Sequence, residues 1–215
     1  MFQQSLVIPK SQLTTVTENT TLAEVYELFN KSEHAHTRAI PILDQTGDLF
    51  RGNIYKQHVF EHVAKNGDLD LPVTTMMRNS TKFIFTTSNF YEAFFAIRDL
   101  PFIAVLDEHH SFYGIFTHDT LMNLLAQSWS VHDGGVAMAV ISHNTRGDLT
   151  KISKIITKYA DIVSVQSLRN DAQQPLVILF TLALPYDSEQ LEKIVKQLKR
   201  KTYDVHSIEN LDRFK

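Results

Sequence analysis

The sequence predicts a mixed α/β (α+β) chain in which one sheet-and-helix unit occurs twice and a smaller alternating domain follows. Three observations predict it. Two segments carry the same elements in the same order. Short continuous apolar runs, too brief for helices, alternate with stretches of helical periodicity. Beyond about residue 134 a fresh alternation of strand and helix patterns begins.

The first copy runs TVTENTTLAEVYELFN and then TRAIPILDQTGDLFRGNIYKQHVFEHV; the second runs FIFTTSNFYEAFFAIRD and then LPFIAVLDEHHSFYGIFTHDTLMNLLAQ. Thr21 and Glu24 have capping-box spacing, and Asn89 with Glu92 gives a looser version of it. Leu22, Val25, Leu28 and Phe29 recur at helical spacing, as do Phe90, Phe94 and Ile97. Ala39 to Leu43 and Phe102 to Leu106 read as buried strands. Asp44-Gln45-Thr46-Gly47 is a hairpin turn, and Asp107-Glu108-His109-His110 is a turn with poorer chemistry. Aligning Leu43-Asp44 with Leu106-Asp107 brings Phe50-Arg51-Gly52 onto Phe112-Tyr113-Gly114 with a single-residue gap. The linkers are Lys65 to Leu71, with Asn66-Gly67-Asp68, and Ser128 to Gly135, with Trp129.

In the remainder, Val136 to Ile141 reads as a strand, and Gly147 opens a helix carrying Leu149, Ile152, Ile155 and Ile156. Ile162 to Leu168 and Leu176 to Leu184 read as strands. Leu191, Ile194, Val195 and Leu198 line a second helix, and Tyr203 to Ile208 closes the sheet.

Composition sets limits. The chain has 215 residues, 43% of them hydrophobic and 21% charged, enough for one large domain or two ordinary ones. A formal charge of -3 and a pI near 6.3 argue against a protein built to neutralise nucleic-acid phosphates. The absence of cysteine excludes disulfides, thiolate metal sites and Cys nucleophiles, and suits a reducing compartment. No stretch approaches the ~20 apolar residues of a membrane span, and the start lacks a signal-peptide layout. The expected location is the cytoplasm.

The doublet, from about Ser5 to about Gln127, resembles a CBS pair, or Bateman module. The stretch Phe112 to Leu121 carries the resemblance best, against a family pattern of Gly, two apolar residues, Thr or Ser, two variable residues and Asp. The resemblance implies two β-α-β-β-α motifs, at 5–65 and 72–127, packed sheet to sheet around clefts for adenine nucleotides. Thr117 stands at the family hydroxyl position, with Thr120 where the Asp is expected and Asp119 one residue early. The first copy has Tyr55 and His58 at the same two places. In the family these positions commonly hold ribose hydroxyls, so the missing carboxylate makes a plain AMP or ATP sensor less fitting. The tail, 134–211, resembles an ACT domain with a ferredoxin-like βαββαβ order. A CBS pair followed by an ACT domain resembles acetoin-utilisation-type regulators and, more closely, the cyclic-di-AMP-binding CBS–ACT proteins of Gram-positive bacteria. That closer likeness rests on IPKSQLTTV, RAIPILD, FRGNIYK, LPFIAVLD and GIFTH.

The resemblance implies a regulatory receptor, not an enzyme, that binds an adenine nucleotide and signals to an unidentified effector protein as a homodimer. Cyclic di-AMP is the expected ligand, with AMP or ATP as the alternative; no cofactor is implied. It has only 2′-hydroxyls free, so it tolerates the lost acidic clamp better than AMP does. Ala39, Ile40 and Pro41, with Phe102, Ile103 and Ala104, are the expected slot walls, offering main-chain contacts to the base. Tyr55 is placed to stack on a purine, a contact worth about 1–3 kcal/mol, or else simply to pack. Thr37 and Thr117 offer hydroxyls. Arg38, Lys56 and Lys10 are candidates for phosphate, Arg38 first because its planar fork holds two oxygens. His118 and Thr120 complete the expected site.

Other chemistries find less. Ten histidines include His58 and His62 at helical spacing and His34 and His36 around one alanine. No HExxH arrangement or convergent third ligand accompanies them, so no metal site is expected. There is no P-loop, G-x-S-x-G elbow or GxGxxG fingerprint, and no catalytic pair is selected. A third reading makes the ACT domain an amino-acid sensor through Asn144, Arg146, Gly147 and Asp148, against a helix-capping loop with solvated charges.

Overall fold

The computed structural model describes residues 4–31, 37–129, 135–169, 175–185 and 187–211. His34, His36 and Gly134 lie outside them. The chain forms two compact units, Met1–Met122 and Asn123–Lys215.

In the first unit the elements are β1 (Ile8–Pro9), β2 (Val16–Thr17), α1 (Leu22–Asn30), β3 (Ala39–Leu43), β4 (Phe50–Tyr55) and α2 (Lys56–Ala64). The second copy supplies β5 (Phe83–Phe85), α3 (Phe90–Ile97), β6 (Phe102–Leu106), β7 (Phe112–Thr117) and α4 (His118–Ser128), which crosses the unit boundary. After β1, each copy is a strand, a helix, a hairpin and a helix. β2 and β5 run parallel to β3 and β6, which in turn pair antiparallel with β4 and β7.

Local chemistry sets these elements. Thr21 and Glu24 form the full capping box, with Glu24 N donating to Thr21 Oγ1 at 3.3 Å and Thr21 N to Glu24 Oε2 at 2.7 Å. Such a cap is worth about 1 kcal/mol. In the second copy Asn89 Oδ1 accepts from Glu92 N at 2.9 Å. Both hairpins close on an aspartate. Asp44 accepts from the amides of Asp48 and Leu49, each at 2.9 Å, and from Thr46 Oγ1 at 2.8 Å. Asp107 accepts from His109 N at 2.9 Å and Ser111 N at 2.8 Å. The turn lacking a glycine is completed by His110, in the left-handed region at φ 64°.

The two copies exchange their lead-in segments. β1 crosses to the second copy and pairs with β7, Ile8 opposite Ile115 and Pro9 opposite Gly114. Conversely, Arg78, which leads into the second copy, bonds Asn53 of β4 in both directions, at 2.8 and 2.9 Å. The glycine of each Phe-x-Gly strand sits under the crossing chain. A Cβ on Gly114 would meet the Ile8 carbonyl, and one on Gly52 the Met77 side chain and the Arg78 carbonyl. The recurrence of that glycine is thereby explained.

The facing sheets bury Ala39 and Leu43 of β3 with Phe102, Ala104, Leu106, Phe112 and Ile115. Ile40, Ile42 and Ile54 point the other way, into a core with Leu22, Val25, Phe29 and Val59. The continuous apolar runs are strands buried on both faces.

The second unit holds β8 (Val136–Ile141), α5 (Asp148–Ile156), β9 (Ile162–Leu168), β10 (Val177–Leu182), α6 (Ser188–Arg200) and β11 (Asp204–Asn210). The sheet order β11-β8-β10-β9, antiparallel throughout, is the ferredoxin-like βαββαβ arrangement. Met138, Val140, Ile178, Phe180 and Leu182 meet Ile152, Ile156, Ile194 and Leu198 of the helices. Both ends of β10 and of β11 differ from the sequence expectation, which is 176–184 and 203–208. β10 stops at Leu182, because the next amide, Ala183 N, turns to bond Asp161 O. β11 begins at Asp204 and not Tyr203, whose amide instead bonds Leu198 O and closes α6.

Candidate functional site

The strand ends that enter α2 and α4 are built alike. Ala39 pairs with Tyr55 and Phe102 with Thr117. Lys56 N donates to Arg38 O at 2.9 Å, and His118 N donates to Pro101 O at 3.0 Å. Thus Thr37, Arg38, Ala39, Tyr55 and Lys56 converge in one copy, and Phe102, Thr117, His118 and Thr120 in the other.

The two ends differ chemically. In the second copy Thr117 Oγ1 accepts from Thr120 N at 3.0 Å and lies 2.8 Å from Thr120 Oγ1. The Thr117 hydroxyl caps α4, and the two hydroxyls bond one another. In the first copy the N-cap of α2 is Tyr55, whose side chain makes no capping bond. Its hydroxyl accepts instead from Asn79 Nδ2 at 2.6 Å. Burial raises the Tyr55 phenol above its ordinary value, while the amides of Asn79 and Asn53 pull the other way.

Around Tyr55 two buried polar atoms have no hydrogen-bond partner among the described residues, Asn53 Oδ1 and His58 Nδ1. Asn53 is 1% exposed. The His58 ring centroid lies 5.6 Å from that of Tyr55. Leaving such a group unsatisfied costs about 1–3 kcal/mol, so a native protein that keeps one has a reason for it. The second copy replaces Asn53 with the buried apolar Ile115 and His58 with Thr120. The polar cluster Asn53, Tyr55, His58 and Asn79 therefore belongs to the first copy alone.

Other expected site residues are distributed as follows. Ile40 and Ile103 are core side chains, and Ala39, Phe102 and Ala104 fill the space between the sheets, so only their backbones can meet a ligand. Pro41 is tolerated in a buried strand because Asn53, opposite it, turns its own amide and carbonyl to Arg78. β2 pairs with Ile42 and Leu43 only, short of Ala39. Thr37 is half-buried and Arg38 exposed at that strand entry. Lys56 Nζ lies 5.5 Å from the Phe60 ring centroid and 6.0 Å from that of Phe29, over the helix side. Lys10 pairs with Asp48 at 3.1 Å. Asn53 and Asn79 were not singled out by sequence reasoning; an asparagine inside the apolar strand Phe50–Tyr55 was the available signal.

Among the described residues no cluster of three His, Asp or Glu side chains is arranged to hold a metal, and no helix is long and apolar enough to cross a membrane. His62 Nε2 bonds Asp68 O at 2.9 Å. In the second unit Asp148 is engaged by its own loop and by Tyr203. It accepts from Ser142 Oγ at 2.8 Å, Thr145 Oγ1 at 2.7 Å and the Tyr203 hydroxyl at 3.0 Å. These bonds hold its carboxyl well below the usual range. Two cavities, of about 600 and 270 Å3, both lie in the second unit.

A duplicated β-α-β-β-α unit, packed sheet to sheet with exchanged lead-ins, defines a paired-motif fold. Residues 7–65 match the family model of the CBS domain, and the second copy repeats the element order of the first. No curated protein matches the chain. Solved structures share the fold at low identity. CbpB in complex with c-di-AMP is 15% identical, with a TM-score of 0.50 over 59% of this chain and 85% of its own. A CBS domain-containing protein of unknown function from Bacillus anthracis is 22% identical, with a TM-score of 0.50 over 59% and 94%. A hypothetical conserved protein from Geobacillus kaustophilus is 19% identical, with a TM-score of 0.51 over 59% and 97%.

Proposed function

We propose that the chain is a non-catalytic regulatory sensor of an adenine nucleotide, with cyclic di-AMP the best-fitting ligand. In this reading residues 5–65 and 72–127 are the CBS motifs and 134–211 an ACT-like domain. The observation that carries the proposal is the pair of unpartnered atoms, Asn53 Oδ1 and His58 Nδ1, around Tyr55 at the strand end of a CBS fold. They suit a ligand that brings hydrogen-bond donors of its own, such as a ribose 2′-hydroxyl or an exocyclic amine. Tyr55 offers a ring face to a purine, and the backbone from Thr37 to Ala39 offers directed polar groups to its edge. Arg38, exposed beside that entry, is the candidate for phosphate.

AMP and ATP remain the alternative ligands, and the absent carboxylate at His58 and Thr120 is what counts against them. The amino-acid reading loses support because Asp148 is already bonded to Ser142, Thr145 and Tyr203. A homodimer suits the apolar surface of α3, where Tyr91 is 72% and Phe95 68% exposed one helical turn apart. Nucleotide binding would be coupled to the affinity for an effector protein, reciprocally.

A thermal-shift panel of cyclic di-AMP, AMP, ATP, S-adenosylmethionine and amino acids tests this. Stabilisation by an adenine nucleotide is expected. Stabilisation by amino acids alone overturns it.

A further inference from the structure

The cavity of about 600 Å3 runs between α6 and the sheet edge β11. Its floor is Leu191, Val195 and Ile208, and Ile208 is 43% exposed. Its rim carries Lys196, Lys199 and Arg200 against a single acid, Glu192. Among the described residues none of these three cations has an ion-pair partner, whereas Lys193 on the same helix is bonded to Glu189 at 2.7 Å. The strand does not neutralise the rim. Asp204 pairs with Ile141 and Glu209 with Ala137, while Ile208 pairs with the core residue Met138. Side chains opposite one another in a ladder share a face, so the β11 carboxylates lie on the side of the sheet away from the groove.

We infer that this groove docks an acidic amphipathic helix of a partner protein, its apolar residues on Leu191, Val195 and Ile208 and its carboxylates on Lys196, Lys199 and Arg200. Two features choose this occupant. A second copy of the chain, docked by the same surface about a two-fold axis, would set cations against cations. An added strand would meet the bulge between Val205 and Ser207, which interrupts the regular ladder of the edge. A helix lying in an apolar groove with a charged rim needs no backbone ladder. Cations also favour a helix C-terminus with no partner at all, and the test below separates the two cases. The inference goes beyond the nucleotide reading and stands without it.

The test uses the full chain without nucleotide and a labelled helical peptide with leucines at helical spacing and glutamates between them. Saturable binding is expected, weakened about tenfold or more in Lys196→Glu/Lys199→Glu and in the mild groove variant Ile208→Ser. The same peptide with lysines for glutamates should not bind. Circular dichroism checks that both variants remain folded. Equal affinity of the variants and wild type, or of the two peptides, overturns the inference. Self-association of the chain that Ile208→Ser abolishes also overturns it, by making a second copy the occupant.

Discussion

Phe50 and Phe112, the same position in the two copies, stack with ring centroids 5.9 Å apart and planes inclined by 17°. They meet where the two sheets face, with Leu49 bridging to Ser111 beside them. One of the contacts that join the two copies is thus between a residue and its own repeat. Phe112 is almost fully buried and Phe50 half-buried. Phe112→Ala should cost about 3–5 kcal/mol, and Phe50→Ala less, by chemical denaturation.

The crossing glycines give a second prediction. Gly114→Ala places a methyl group against the Ile8 carbonyl, so β1 must leave β7. Limited proteolysis should then cut the N-terminal segment faster, with a lowered Tm. At Gly52 the methyl meets the Met77 side chain and the Arg78 carbonyl at a backbone φ of 158° that side chains rarely adopt, so Gly52→Ala should also lower the Tm, by loosening Arg78 from β4.

These glycines mark how far the sequence could be read. The ordered repeat, the caps at Thr21 and Asn89, the turns after Leu43 and Leu106 and the alternating last domain were all legible, because each is a local pattern. That the Phe-x-Gly glycine lies under the other copy's lead-in was not legible, since the pairing joins Pro9 to Gly114 across the whole module. For the same reason the polar cluster escaped. Asn79 approaches Tyr55 only because its segment crosses onto β4. Thr117, the residue matching the family pattern, proved to be bonded to Thr120, and the unsatisfied groups lie in the copy whose residues depart from that pattern.

The carboxylate of Asp44 gives a pH prediction. Three donors and the closure of its turn bring its pKa down from 3.8 to about 2. A depressed folded-state value means stability that is present above about pH 4 and lost as pH falls towards 2. Asp44→Asn should be less stable than wild type at neutral pH, and the gap should shrink across that window in denaturant titrations.

The α3 surface gives a fourth. If Tyr91 and Phe95 lie in a homodimer, the double variant Tyr91→Ser/Phe95→Ser should sediment as a monomer while its circular dichroism is unchanged. A wild-type chain that is monomeric at all concentrations contradicts the dimer.

Asn53 bears most directly on the central claim. Asn53→Ile installs the residue that the second copy carries, removing an unsatisfied buried atom together with the amide that supports Tyr55. Those effects oppose, so the ligand-free stability should change by no more than about 1 kcal/mol. The decisive measurement is isothermal titration of cyclic di-AMP into wild type and Asn53→Ile side by side. Saturable binding by wild type, at least about tenfold weaker in the variant, is the predicted result. Equal affinities, or a wild-type protein that binds neither cyclic di-AMP nor AMP nor ATP, would contradict it.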